Sequence, residues 1–435
     1  GDAELPRSLT WLWRDYDAAK TDQQFIPDPA EKDKEYYRVR IANRDYFRTP
    51  DHPKSPAPDW SKVQFKPEDL QKGTAVFAER EHFMLGVESP SEPKLFIDEQ
   101  PGPAMKRVDG TNTWTVTGTW QTGRTHNVHY LIDGKKFGGK QSIIAYGPDS
   151  YEQPGVPKGQ STPKLVHTSK MYPGMKSDYW VYTPAGYEAS KPAALMVWHD
   201  GEYYYDRSME SRALNVIDNL THRKLMPVAV HVFIAPGLVG ETKMRSVLYD
   251  TVDDKYARFI RDELLPEVYA KYNVRRDAYS RALLGESSGG ISSFNIAWEQ
   301  PDQFARAVCR INSFTTIQWD PGKKESGSIY PFRVRKQPKR NIRIWMSDGA
   351  YDLENTHGSW PMQNIQMANS LKMRGYDFHF NWTNATHTRA QGHAELPESL
   401  IWIWRDYDPS KTDQQFTIDP AEEAKPLFRV ALEPR

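Results

Sequence analysis

Arg281-Ala-Leu-Leu-Gly-Glu-Ser-Ser-Gly-Gly290 is the stretch on which the reading of this chain turns. A short apolar run ends in small residues and passes into a helical pattern at about 289–299, with Ser287 centred in Gly-x-Ser-x-Gly. A strand that turns sharply into a helix lifts a serine hydroxyl clear of the backbone, and bulky neighbours would clash there. Gly285, Gly289 and Gly290 supply the small ones. The amino end of the following helix aims at the serine, where negative charge develops during attack on a carbonyl. Ser288 is the competing nucleophile, but residue 286, two before it, is Glu rather than Gly, so the elbow centres on Ser287.

Outward from the elbow, apolar strands alternate with helices. Strands are expected at 179–182, 195–198, 228–234, 282–284, 342–345 and 378–380, and helices at about 253–271, 289–299, 361–374 and 397–405. Near-continuous apolar strands alternating with helices imply an α/β architecture, a mostly parallel sheet covered on both faces, with the ligand at the carboxyl ends of the strands.

A serine nucleophile needs a base and an orienting acid, and behind such an elbow the acid and then the histidine follow along the chain. Four histidines lie downstream of Ser287. His357 comes too soon after any acid, and His379 alternates within a strand as a packed core residue does. His387, on a loop between the last strand and the last helix, and His393 are the candidates. For the acid, Ile344-Trp-Met-Ser-Asp-Gly-Ala-Tyr-Asp-Leu-Glu-Asn355 offers Asp348, Asp352 and Glu354. Asp352 lies deeper in the loop and can reach over the strand ends, whereas Asp348 can close the turn on backbone amides. The spacing of these carboxylates fits no standard calcium loop, and no metal is expected.

The oxyanion needs two backbone donors. Ser288 supplies one, and the loop Trp198-His-Asp-Gly-Glu-Tyr203 supplies the other through Gly201 or Glu202. His199, at a strand end, reads as structural. Tyr203 and Arg245 are candidates for contact with substrate at the rim, Arg245 equally for a surface ion pair.

The rest of the chain reads as modules. From Gly73 to about Ile144, short alternating stretches broken by Asp-Gly turns predict a small antiparallel sandwich over 73–150. Residues 31–72 and 151–168, rich in Pro and charge or Gly, read as linkers, 169–417 as the α/β domain and 418–435 as a C-terminal extension. A repeat joins the two ends: Ala3 to Tyr16 recurs as Ala394 to Tyr407 with 11 of 14 positions identical. Residues 1–30 therefore read as the tail of a preceding module of the same kind, in a tandem parent chain, with a pair of equivalent helices built into one fold as the alternative. Position 393 corresponds to Asp2 in the other copy, so a neighbouring module would lack a histidine there, which favours His387.

Across 435 residues, Lys+Arg and Asp+Glu balance at 57 each, so no net field selects nucleic acid or an anionic membrane surface. No apolar run is long enough to span a bilayer. The single Cys309 cannot pair internally.

With these pieces placed, the region from about Ser177 to Tyr407 resembles the enterochelin-esterase-like and feruloyl-esterase-like α/β hydrolases of carbohydrate esterase family 1. The resemblance rests on Val181-Tyr-Thr-Pro-Ala-Gly-Tyr187, His199-Asp-Gly201, Asp262-Glu-Leu-Leu-Pro266, Leu284-Gly-Glu-Ser-Ser-Gly-Gly290, Asp352-Leu-Glu-Asn355, His357-Gly-Ser-Trp360 and Leu396-Pro through Trp404-Arg-Asp-Tyr407. It implies a triad of Ser287, Asp352 and His387 that needs no cofactor. It also implies an Ig-like module similar to carbohydrate-binding module family 48 at 73–150, resting on Asp109-Gly-Thr-Asn-Thr-Trp114 and Tyr130-Leu-Ile-Asp-Gly134. The implied substrate is a hydroxycinnamoyl or acetyl ester on a plant polysaccharide such as xylan, which would place the protein in a secreted or periplasmic setting. A siderophore lactone is the second substrate implied, although the sequence displays no cationic cluster for it. A carbohydrate-binding protein with a scaffolding hydrolase half is the non-enzymatic alternative. Thr388-Arg-Ala-Gln391 departs from the Gly- and His-rich loop usual after this histidine, which alters the rim of the site.

Overall fold

The computed structural model describes residues 4–20, 37–42, 52, 54–322 and 325–434. Residues 1–3 and 21–30 of the expected tail, and parts of the 31–72 linker, lie outside them. Residues 39–431 form one compact unit.

The strand expectation holds at the centre of an eleven-stranded sheet, where Ala229–Ile234, Ala194–His199, Arg281–Glu286, Arg306–Arg310, Arg343–Tyr351 and Asp377–Thr386 lie in that order, each parallel to its neighbour. Met175–Thr183 adds antiparallel beside Ala229–Ile234. Side chains alternate between the faces, as the two-residue period of a strand requires. Leu195 and Val197 join the core beneath the helices Ser288–Glu299 and Trp360–Met373, while Met196 and Trp198 join the core beneath Ala213–His222 and Leu396–Trp404. Two buried faces explain why these strands read as continuous apolar runs.

Arg306–Arg310 was not expected as a strand, because Arg stands at each end of its three-residue apolar stretch. Both arginines are nonetheless buried, answered by distant groups. Arg306 donates to Tyr279 O and Ile403 O, at 3.0 and 2.6 Å, and Arg310 to Glu286 Oε1 and Ser399 Oγ, at 3.3 and 2.6 Å.

Between Ala75 and Ala145 two four-stranded antiparallel sheets enclose a core of Phe83, Leu85, Val87, Leu95, Val128, Tyr130 and Ile143. The flanking segments carry more structure than linkers. Pro67–Lys72 is a helix because Pro67 opens it and Gly73, at φ 66°, closes it in the left-handed conformation. Leu165–Thr168 adds to the edge of the large sheet. Past residue 417, Ile418 and Phe428 are buried in the main core, and Phe428 exchanges both backbone bonds with the Asn369 amide. Residues 418–431 of the extension thus belong to the packed body.

The two copies of the repeat differ in burial. Leu396–Trp404 buries Leu396, Leu400, Ile403 and Trp404, whereas the helix Leu5–Leu12 buries none of its residues. No described helix is long and apolar enough to cross a membrane.

Candidate active site

The strand Arg281–Glu286 is buried along its length and ends at Ser287, whose φ of 57° and ψ of −120° are sterically costly for a non-glycine residue. The helix Ser288–Glu299 starts immediately after it. A Cβ at Gly285 would lie 2.1 Å from Gly289 O, so the strand and helix meet this closely only because residue 285 is glycine.

Ser287 Oγ lies 2.8 Å from His387 Nε2, and His387 Nδ1 lies 2.5 Å from Asp352 Oδ1. The three residues come from the strand-to-helix elbow, the loop after Asp377–Thr386 and the loop after Arg343–Tyr351, all at the carboxyl ends of parallel strands. Asp352 is 2% exposed, so its charge faces the imidazole with little competition from water. The other histidines stand elsewhere. His393 is buried with its ring edge-on to Tyr204, His379 stacks on Trp345 and burial pushes its pKa down to about 3, and His357 is exposed. His199 is fully buried against Leu284 O and Ser293 Oγ, its pKa pushed down to about 4 by burial.

Asp348 bonds the turn amide of Gly349 at 2.7 Å. Burial, and then the charge of Asp352 beside it, push its pKa well up. The Oδ2 atoms of both carboxyls are buried. Glu354 is exposed.

On the oxyanion side, Asp200 adopts a left-handed conformation and Gly201–Tyr203 forms a single 3-10 turn. A Cβ at Gly201 would sit 2.3 Å from Ile234 N, which explains the glycine. Tyr203 and Tyr204 donate inward to Asp200 O and Gly201 O. The N–H groups of Gly201 and Glu202 precede them, as the first donors of a helical turn do. Burial raises the Glu202 pKa to about 7. Arg245 grips both Asp200 oxygens at 2.7 Å and reaches Glu286 O at 3.2 Å, which ties this turn to the elbow. Tyr203 is 41% exposed and lies under the Arg389 guanidinium, 3.6 Å from its ring centroid. Both border a cleft of about 1020 Å³ that runs from Glu202 to Lys176 and Lys243.

That cleft corrects one expectation. Lys176, Lys243, Arg245 and Arg389 gather there from four separate segments, together with Asp178, Asp200 and Glu202, a cluster invisible in a charge-balanced sequence. Three further neighbours of the triad were not anticipated as such. Ser313 Oγ lies 3.3 Å from Ser287 Oγ and accepts from Trp360 Nε1, whose ring meets His387 edge-on, and Asp250 is buried beside Ser288. Only Trp360, in the His357-Gly-Ser-Trp360 stretch, carried any signal in the sequence.

Relay, elbow and turn together can deprotonate a hydroxyl, orient the imidazolium formed, and present amides to an oxyanion. The same fold and order of parts have relatives. The "Putative esterase" family model matches residues 172–403, more than half of the chain. The chain belongs to the esterase family. Its sheet and elbow make it an α/β hydrolase. This esterase is similar to the iron(III) enterobactin esterase of Escherichia coli strain K12, at 24% identity over 53% of each chain. It is also similar to the endo-1,4-beta-xylanase/feruloyl esterase of Xylanibacter ruminicola, at 24% identity over 59% of this chain and 36% of the relative. The esterase thus spans about half, or less, of the length of these curated relatives. Among solved structures, the enterobactin esterase from Shigella flexneri matches with a TM-score of 0.51 and 16% identity, over 77% of this chain and 97% of that one, a likeness of fold.

Proposed function

We propose that this esterase hydrolyses carboxylic esters with Ser287 as nucleophile, His387 as base and Asp352 as the orienting acid. The observation that carries the reading is the unbroken relay from Ser287 Oγ through His387 to Asp352, at 2.8 and 2.5 Å. Ser287 Oγ attacks the ester carbonyl while His387 Nε2 takes its proton, and the amides of Ser288 and of Gly201 or Glu202 hold the oxyanion. His387 returns the proton to the departing alkoxide. A water deprotonated by the same imidazole then releases the acid from the acyl-enzyme.

For the substrate, we propose a hydroxycinnamoyl or acetyl ester on a plant polysaccharide, handled outside the cytoplasm, with the acyl group or its sugar along the cleft by Tyr203 and Trp180. The xylanase/feruloyl esterase relative and the aromatic lining support this. A siderophore lactone is the second reading. It is favoured by the cationic side chains Lys176, Lys243 and Arg389, which suit an acidic catecholate, and by the enterobactin esterase relative. Methyl ferulate, p-nitrophenyl acetate, acetylated xylan and enterobactin, each presented to wild type and to Ser287→Ala, separate the readings. Turnover by wild type alone supports the triad, and the preferred ester names the class. Equal rates for both proteins would sink the triad, and retention on xylan without turnover would restore the binding-protein alternative.

A further inference from the structure

The ladder between Arg343–Tyr351 and Asp377–Thr386 ends on the rung Tyr351 to Thr386, after a register shift that follows Gly349. Each residue of that rung immediately precedes a member of the relay, Tyr351 before Asp352 and Thr386 before His387. Both are tied to the sandwich. Tyr351 OH donates to Glu99 Oε1 at 2.8 Å, and Thr386 Oγ1 lies 2.6 Å from Ser142 Oγ.

The sandwich side of these contacts is locally irregular. Between the strands Arg124–Ile132 and Lys135–Ala145 the register passes from His126 opposite Ile143 to Val128 opposite Lys140, so Gln141 and Ser142 together face Asn127. This is a bulge, a device that re-aims side chains. Ser142 takes φ of 55° within it, and Asp98 and Glu99 take 50° and 66° in the neighbouring turn. Non-glycine residues held there are costly unless the surroundings require them. The bulge sends Asn127 Nδ2 to Asn384 O at 3.0 Å, while Asn127 Oδ1 accepts from Ser142 N at 2.8 Å. Thr125 donates through N and Oγ1 to Gln391 Oε1, at 3.0 and 3.1 Å. The loop that carries His387 is thus held on both sides, at Asn384 and Thr386 before it and at Gln391 after it.

We infer that the sandwich is a positioning element of the site, in which Ser142, Asn127 and Glu99 set the places of His387 and Asp352. The inference rests on the triad reading for its catalytic consequence. A base on a loop beyond the last rung has no ladder of its own to fix it, and a displacement of about 1 Å in such a group lowers rate by about 100-fold. The sandwich supplies the missing constraint through four side chains.

The test uses the full chain. Ser142→Gly removes the hydroxyl and suits the left-handed backbone, Thr386→Val removes its partner at equal volume, and Thr386→Ser keeps the bond. Steady-state kinetics with methyl ferulate and p-nitrophenyl acetate are paired with proton NMR of the low-field Nδ1–H signal of His387. The expected result is a kcat lower by about 10-fold in Ser142→Gly and Thr386→Val with KM little changed, a weakened or shifted low-field signal, and near wild-type behaviour in Thr386→Ser. An unmoved signal with kcat within about two-fold of wild type would overturn the inference, whatever the melting temperature does. Should the wild type hydrolyse no ester, the functional reading fails by itself, while the NMR signal still decides whether the sandwich positions the pair.

Discussion

Asp348 and Asp352 stand four residues apart at one strand end, the first accepting from Gly349 N at 2.7 Å, the second bonded to His387 at 2.5 Å. Burial, and then the neighbouring Asp352 carboxylate, push the Asp348 pKa well up, which favours its neutral form. Asp352→Asn should lower kcat by about 10⁴-fold, because an amide at that place favours the wrong imidazole tautomer. Asp348→Asn puts an amide of the same shape in place of an acid whose raised pKa favours its neutral form, and should keep kcat within about 10-fold. Equal losses on kinetic assay of the two variants would show that the pair works as one unit.

Arg245 stood as either a rim contact or an ion pair. Its guanidinium is engaged with Asp200 and Glu286 O, which joins the oxyanion turn to the elbow. Arg245→Lys keeps the charge but cannot hold both Asp200 oxygens in one plane. The expected outcome is a fall of about 10-fold in kcat with KM nearly constant, since the donors it places act on the transition state. A rise in KM alone would return Arg245 to the rim.

Two carboxyls near the site bear on pH. Burial raises Glu202 from its ordinary 4.5 to about 7 and Asp250 from 3.8 to about 6. Both folded values exceed the unfolded ones, so between them the folded protein binds more protons, and stability from these groups falls as pH rises through that window. Glu202→Gln should flatten the decline in melting temperature between about pH 4.5 and 7, and Asp250→Asn between about pH 4 and 6. Thermal scans across pH check this, and profiles parallel to wild type would count against it.

Most of the fold was legible because its strands are buried on both faces and so read as apolar runs. Arg306–Arg310 escaped because its arginines are answered by a carboxylate, Glu286, and by the carbonyls Tyr279 O and Ile403 O, partners that only the folded chain brings near. The elbow was local and therefore readable. His387 and His393 lie six residues apart with similar surroundings in the sequence, and the intervening turn sends one to Ser287 and the other to Tyr204. The ties from Ser142 to Thr386 and from Glu99 to Tyr351 span more than 200 residues, and no periodicity announces them.

The terminal repeat gives a comparison of one sequence in two settings. Trp404 is 2% exposed and packs with Leu396, Leu400 and Ile403 against the sheet, whereas its counterpart Trp13 is 58% exposed. Local propensity is nearly the same in both copies, so any difference between the two truncations comes from burial. Trp404→Ala should destabilise the esterase by about 3–5 kcal/mol, as expected for a large buried aromatic. Trp13→Ala should shift stability by no more than about 0.5 kcal/mol. Urea unfolding of the two variants measures both. If Trp13→Ala costs as much as Trp404→Ala, the first copy is docked on the body of this same chain, which would favour a pair of equivalent helices built into one fold over the tail of a preceding module.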